Sequence, residues 1–156
     1  MSIEYIQVKD NTKKSDICYY ILKSLPLWFG IPESNNEYCQ NVKKHDFYKI
    51  GENEKPIGFI SLKENNEYVS EIYVMGILPE YHRKGIGKNL IDFASVLAKT
   101  NNKSYLEVKT LAADRESEEY RRTRLFYTKT GFIPIDVLYN EWGLDNPCLI
   151  MLKPLL

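Results

Sequence analysis

The chain switches from strand-like to helix-like sequence within a few residues of Leu78, and no other stretch constrains the fold as much. Residues 68–78 (YVSEIYVMGIL) are dominated by β-branched, aromatic and other apolar side chains, the composition of a strand. Pro79 has no N–H for a sheet ladder and ends it. Glu80, Tyr81, His82, Arg83, Lys84, Gly85, Ile86, Gly87 and Lys88 follow, and then Leu90, Ile91, Ala94, Leu97 and Ala98 recur at helical spacing. Asn101 and Asn102 close that helix, and Ser104–Thr110 (SYLEVKT) reads as the next strand. A strand that follows a helical crossover lies parallel to the strand before it. The chain therefore has to contain a parallel βαβ unit.

The junction also suits an anion. Glycines at 85 and 87 allow unusual dihedrals and close approach of the backbone to a ligand. The helix that starts there presents unpaired N–H groups and the positive end of its dipole, which together suit a pyrophosphate. Arg83, Lys84 and Lys88 add charge. No GxxxxGK[ST] loop is present, and a GxGxxG fingerprint would need glycine where the chain has Leu90. On these residues alone, a tight strand-to-helix turn and a phosphate site both remain open.

The rest of the chain supplies an antiparallel beginning and two closing strands. Residues 3–8 suit a strand. Ser15 and Asp16 are candidate caps for a helix carrying Ile17, Tyr20, Ile21 and Leu25, ended by Pro26. Leu27–Glu37 reads as a loop, and a second helix is expected over Asn36–Lys44. Phe47–Ile50 and Ile57–Leu62 form a hairpin across the polar turn GENEKP, and Tyr68–Leu78 extends it to a meander. A helix over Glu116–Thr130 stops at Gly131, and Phe132–Tyr139 and Cys148–Leu152 are the last strands. The expected fold is α/β (α+β): a mixed, mostly antiparallel sheet with a central parallel pair, flanked by about four helices. With 156 residues, no repeat and no Gly/Ser linker, residues 1–156 read as one domain.

Charge excludes some partners. Lys plus Arg and Asp plus Glu each number 21, so no basic footprint for nucleic acid covers the chain. The balance hides an asymmetry. Residues 1–78 carry 9 lysines, no arginine and 11 acids, whereas residues 79–156 hold 7 lysines, 10 acids and all five arginines: Arg83, Arg115, Arg121, Arg122 and Arg124. Arginine is the usual choice for bidentate contact with phosphate. Helical spacing equally allows Arg121, Arg122 and Arg124 to pair with Glu116, Glu118 and Glu119. Cys18, Cys39 and Cys148 are odd in number and far apart, which fits neither a disulfide framework nor a CxxC pair and favours a reducing cytoplasm. The first residues show no secretory leader, no apolar run is long enough to span a bilayer, and two histidines make a His-based metal site unexpected. No metal and no membrane partner are expected.

Two segments, on either side of Ser104–Thr110, resemble a known family. Glu71 to Gly87 is similar to motif A of the GNAT superfamily of acetyl-CoA-dependent N-acyltransferases, whose pattern is [Q/R]xxGx[G/A]. His82 stands at the Gln/Arg position and departs from it. Leu125-Phe126-Tyr127-Thr128-Lys129-Thr130-Gly131-Phe132 resembles the family's YxxxGF signature. The order of elements matches over essentially the whole chain, and residues 71–132 are the specific part. A narrower similarity, to a bacterial subgroup, rests on Leu25–Ser34 (LPLWFGIPES) and Asn146–Met151 (NPCLIM).

The resemblance implies an N-acetyltransferase that uses acetyl-CoA (coenzyme A after transfer) and passes the acetyl group directly to a primary amine of a small molecule or peptide in a ternary complex. It implies that the strand bulges near Met75–Ile77 and splays from Ser104–Thr110. Ile77, Leu78 and Pro79 would then line the pantetheine arm, with the Ile77 N–H polarising the thioester carbonyl. His82, Arg83, Lys84, Gly85, Ile86, Gly87 and Lys88 would hold the pyrophosphate. Tyr127 matches the general acid for the departing thiolate, the alternative being a core tyrosine that anchors its helix. Glu71 matches the glutamate base of the histone-modifying branch, the alternative being an exposed strand glutamate. Tyr120 and Thr123 replace the family's usual Asn and Ala beside the cofactor. Trp28, Phe29, Glu33 and Tyr38, with Tyr139, Glu141 and Trp142, are candidates for a pocket receiving a cationic amine, or for lid and core packing. Members of the family are often homodimers. A non-catalytic acyl-CoA-binding or sensing module and a phosphate-binding module for another nucleotide are the other readings.

Overall fold

The computed structural model describes residues 3–52 and 55–156. Its contacts gather into two compact units, Met1–Lys63 with Tyr73–Leu90 and Glu64–Ile72 with Ile91–Leu156. The strands hydrogen-bond in the order β1-β2-β3-β4-β5-β7-β6 and define a mixed α/β fold. Among the described residues no helix is long and apolar enough to cross a membrane.

The first unit opens with β1 (Glu4–Gln7) and α1 (Asn11–Lys23). Asp10 caps α1 by accepting from the Lys13 N–H, so the helix starts a turn before the expected Ser15–Asp16 cap. Its inner face is Lys14, Cys18, Ile21 and Leu22, and Tyr20, expected inside, is exposed. Lys14 is buried because its ammonium donates to the His45 carbonyl at 2.7 Å, which satisfies the charge. The second helix, α2 (Pro32–Asn41), begins four residues before the expected Asn36, inside the stretch read as a loop. Pro32 occupies its first turn, where a missing N–H costs nothing. A short 3-10 turn, Val42–Lys44, leads to β2 (Asp46–Glu52), which pairs antiparallel with β3 (Lys55–Glu64). The tip of the expected GENEKP turn, residues 53–54, lies outside the described residues. The core here unites Cys18, Ile21, Leu22, Leu25, Val42, Phe47, Phe59, Val74 and Leu78, with the Phe47 and Phe59 rings stacked at 5.1 Å.

β4 (Val69–Ile77) is shared by the two units. The second unit continues with most of α3 (Ile86–Thr100), then β5 (Tyr105–Leu111), α4 (Glu118–Lys129), β6 (Ile133–Leu138) and β7 (Cys148–Pro154). β4 and β5 pair in parallel, as the crossover requires, with Val69–Ile72 opposite Tyr105–Val108. That register ends at Ile72, although β4 runs on to Ile77 and β5 to Leu111. β7 inserts between β5 and β6 and is antiparallel to both. Strict alternation along β5 sends Leu106, Val108 and Thr110 to one face and Glu107, Lys109 and Leu111 to the other. The first face includes Lys153, opposite Leu106, whose ammonium donates to Ser95 of α3 at 3.0 Å.

Candidate active site

In the first unit the strand-to-helix junction is held from both sides. Leu78, buried, donates its N–H to the Ile57 carbonyl at 2.8 Å, and Ile86 is buried at the start of α3. Pro79–Tyr81 make a short 3-10 turn and His82 leaves it extended. The next residues alternate in hand. Arg83 has φ 60° and Gly85 has φ 79°, so two left-handed positions flank Lys84. Left-handed backbone at a residue with a Cβ costs roughly 1–2 kcal/mol, and Arg83 accepts that cost in a loop that bears charge. Alternating hand aims successive N–H groups into one concavity, the arrangement that cradles phosphate. The first intrahelical bond runs from Asn89 N–H to Gly85 C=O at 3.1 Å, so the N–H groups of Ile86 and Gly87 precede the helical ladder. Arg83, Lys84 and Lys88 are exposed around them, and the Lys84 ammonium lies 5.4 Å from the centre of the Tyr81 ring. The backbone and charge here fit a pyrophosphate.

His82, the departure from the [Q/R]xxGx[G/A] pattern, turns its side chain back. Its Nε2 lies 2.7 Å from the Ile77 carbonyl oxygen, which makes Nε2 the protonated nitrogen and the donor. Trp28 meets the imidazole edge-on at 5.8 Å. The side chain thus ties the loop to the end of β4. Gly76, just upstream, is required by packing, since a Cβ there would stand 2.8 Å from Ile21 Cγ2. Phe29, Tyr38, Tyr73 and His45 continue as a chain of edge contacts at 5.8, 5.5 and 4.7 Å. Trp28, Phe29 and Tyr38 pack against the core of this unit, and Glu33 is exposed on the first turn of α2.

In the second unit α4 carries Tyr127. Ser117 caps it, accepting from the Tyr120 N–H at 3.3 Å. Tyr127 is buried, with Phe126 and Phe132 at 5.4 and 5.3 Å between ring centres. Burial pushes its phenol well above the ordinary tyrosine value, and Tyr120 pushes it further. Burial raises Tyr120 too, against an opposing pull from Arg115. Thr123 donates its hydroxyl to the Glu119 carbonyl at 3.0 Å. The arginines of α4 have local partners. Glu118 accepts two hydrogen bonds from Arg121 at 2.8 Å and one from Arg122 at 3.2 Å, and Arg124 donates to the Leu111 carbonyl at 2.7 Å. Arg83 is the one arginine of the five in the loop before α3.

Glu71 is 3% exposed, which removes the reading of an exposed strand glutamate. It lies opposite Glu107 in the β4/β5 register. Asn65 donates to its Oε1 at 2.9 Å and to Glu107 Oε2 at 3.4 Å. Lys109 places its ammonium 3.9 Å from Glu71 Oε1 and 3.6 Å from Glu141 Oε1. Desolvation pulls Lys109 down, but Glu71, Glu141 and Glu107 together outweigh it and hold the ammonium above its ordinary value. Cys148 belongs to the same surroundings. Burial raises its thiol to about 11, against the pull of Lys109 and with the carboxylates Glu141, Glu71 and Glu107 adding to the rise. Trp142, next to Glu141, is partly exposed, and the Tyr139 hydroxyl donates to Asp114 at 2.7 Å. The structure thus joins Glu71 and Glu141, two of the sequence candidates, through Lys109. Sequence reasoning missed Lys109 and Asn65, although parallel pairing of residues 68–78 with 104–110 would have set Lys109 on the Glu107 face. Among the described residues no group of three or more His, Cys, Asp or Glu side chains could hold a metal.

A sequence profile of the acetyltransferase (GNAT) domain matches residues 43–134, more than half of the chain, including β4, the loop and Tyr127. The chain belongs to the GNAT acetyltransferase family. Membership makes it an acyltransferase with acetyl-CoA as its co-substrate. No curated protein sequence matches it. Solved structures share the fold of this GNAT acetyltransferase at low identity. A GNAT-family protein from Desulfovibrio desulfuricans is 15% identical with a TM-score of 0.83, over 99% of this chain and 100% of its own. An acetyltransferase from Elizabethkingia anophelis, solved with acetyl-CoA bound, is 18% identical with a TM-score of 0.73, over 97% of each chain. The aminoglycoside 6'-N-acetyltransferase from Enterococcus faecium is 18% identical with a TM-score of 0.74, over 100% of this chain and 98% of its own.

Proposed function

We propose that this chain, working as one domain in a reducing cytoplasm, transfers the acetyl group of acetyl-CoA directly to a primary amine of a small molecule or peptide. The alternating backbone from His82 to Gly85, with Arg83 and Gly85 left-handed ahead of α3, carries the reading. It offers N–H groups, a helix N-terminus and three exposed cations, which suit a pyrophosphate in a protein of zero net charge. Ile77, Leu78 and Pro79 would take the pantetheine arm, with the Ile77 N–H as oxyanion donor. His82, Arg83, Lys84, Gly85, Ile86, Gly87 and Lys88 would take the phosphates, and Thr123 is the cofactor-side candidate on α4. The thioester supplies an activated acyl group; the side chains supply the proton transfers.

Two proton transfers fall to the side chains, while the second nitrogen proton, released as the tetrahedral adduct collapses and its C–S bond breaks, leaves through water. The incoming ammonium must lose a proton, and Glu71 is the base that would take it, directly or through a water. The departing sulfur needs a donor, and Tyr127 is that donor. Its raised phenol stays protonated through neutral pH, so it acts as an acid and never as a base. Burial also weakens that acid, so its contribution is a hydrogen bond that strengthens as charge builds on sulfur. Trp28, Phe29 and Glu33 are the acceptor-side candidates in the first unit and Trp142 is the candidate in the second; aromatic and acidic groups of this kind suit a cationic amine.

One observation favours a non-catalytic acyl-CoA sensor instead: Glu71 is 3% exposed and already engaged by Asn65 and Lys109. Calorimetry and turnover separate the readings. The protein is titrated with coenzyme A and with ATP, then assayed with acetyl-CoA against spermidine, kanamycin, free amino acids, a peptide N-terminus and a lysine peptide. Coenzyme A binding with turnover of at least one amine is the expected result. Binding without turnover favours the sensor, and ATP binding without coenzyme A binding overturns both.

A further inference from the structure

We infer that Lys109 is the positioning residue for Glu71: its ammonium, shared with Glu141, pairs with the buried Glu71 side chain and holds it pointed for proton transfer. The inference rests on the reading of Glu71 as the base. A carboxylate excluded from water is tolerated only when it is paired and hydrogen-bonded. Glu71 has a neutral donor, Asn65 at 2.9 Å, and a cation, Lys109 at 3.9 Å. The other titratable groups that act on this cluster are acidic. Glu107 stands opposite on β5, Glu141 approaches from the segment before β7, and Cys148 lies on β7. Lys109 thus answers three carboxylates and a buried thiol. Its ammonium lies between Glu71 and Glu141, the first buried and the second exposed, with side-chain exposures of 4% and 45%. Glu141 meets the cation from the open side and Glu71 from the closed side.

A merely structural role, stapling β5 to the segment before β7, would make Lys109 and Glu141 equivalent. Positioning makes them opposite in sign. Removing the cation must raise the pH at which Glu71 takes a proton, whereas removing Glu141 takes away a like charge and must lower that pH or leave it. The probe is the Glu71 carboxyl carbon in protein labelled with 13C-glutamate, identified by its loss in Glu71→Gln and titrated from pH 4 to 9 without any ligand. Lys109→Met should raise the midpoint by about one unit or more, as loss of an opposite charge within about 4–6 Å does. Lys109→Arg should keep it within about 0.3 unit of wild type and Glu141→Gln should not raise it. A Lys109→Met midpoint within that margin, or an equal rise in Glu141→Gln, overturns the proposal.

If Lys109→Met does not fold well enough to titrate, its melting temperature is compared with that of Lys109→Met/Glu71→Gln. Recovery of most of the loss on neutralising Glu71 supports the pairing, and additive losses overturn it. Failure of the base reading shows elsewhere. Glu71→Gln that acetylates the amine panel at the wild-type rate removes Glu71 as base and leaves the titration result to stand on its own.

Discussion

Tyr127 combines two roles that sequence alone left as alternatives. Its ring is core, held between Phe126 and Phe132, and its hydroxyl is the proposed donor to the leaving sulfur. The two separate by substitution. Tyr127→Phe keeps the ring, so the melting temperature and coenzyme A affinity should change little, within about twofold for affinity. Turnover should fall by about 10²-fold or more, at the low end of what a general acid contributes. Wild-type turnover in Tyr127→Phe would end its role as acid. The arginines show a different lesson. Arg121 and Arg122 share Glu118 at i+3 and i+4, a spacing visible in the sequence. Arg124 instead donates to the Leu111 carbonyl, thirteen residues away, which no local rule reveals. Arg121→Ala should therefore leave coenzyme A affinity unchanged in calorimetry, whereas Arg83→Ala should weaken it severalfold through the loss of one phosphate-facing charge.

The elements that carry the site follow from local chemistry of unequal clarity. β4, the loop and α3 were legible because β-branched residues, Pro79, paired glycines and a strong apolar helical face all point the same way. The parallel β4/β5 pairing followed from crossover handedness. α2 was not legible over its first turn: of Pro32–Asn41 only Cys39 is buried, so no apolar stripe announces a helix. The start of α1 was missed for a similar reason, since its first buried position is Lys14, which reads as surface until the His45 carbonyl is in view. The loop makes its own prediction. Gly85 has φ 79° and nothing within 4 Å of the point where a Cβ would stand, so alanine there meets no clash and is penalised by backbone conformation alone. Gly85→Ala should cost about 1 kcal/mol in denaturant unfolding and weaken coenzyme A binding by more than that strain predicts. Unchanged affinity would separate the loop from the phosphates.

At the scale of the whole molecule, zero net charge is compatible with a polyanionic co-substrate because the charge that matters is local. The same locality sets the alkaline limit of stability. Cys148 is buried as a neutral thiol, and burial raises it from 9.0 to about 11. Lys109 is also raised in the folded state, because the carboxylates around it outweigh desolvation. A group whose folded value is raised holds its proton longer in the native state than in the unfolded chain. Its contribution is complete below the unfolded value and is lost as pH climbs through the folded one. Both groups act in the same direction, and the raised phenols of Tyr127 and Tyr120 add to them, so stability should be flat up to about pH 9 and then fall, by roughly 1 kcal/mol per unit between pH 9 and 11 for the Cys148 thiol. Thermal melts in reductant at half-unit steps from pH 7 to 11 measure the fall. Cys148→Ala removes one of these protons, so its decline above pH 9 should be shallower than wild type even if its melting temperature at pH 7 is lower. Parallel curves would mean that the thiol ionises no later in the folded protein than in the unfolded chain.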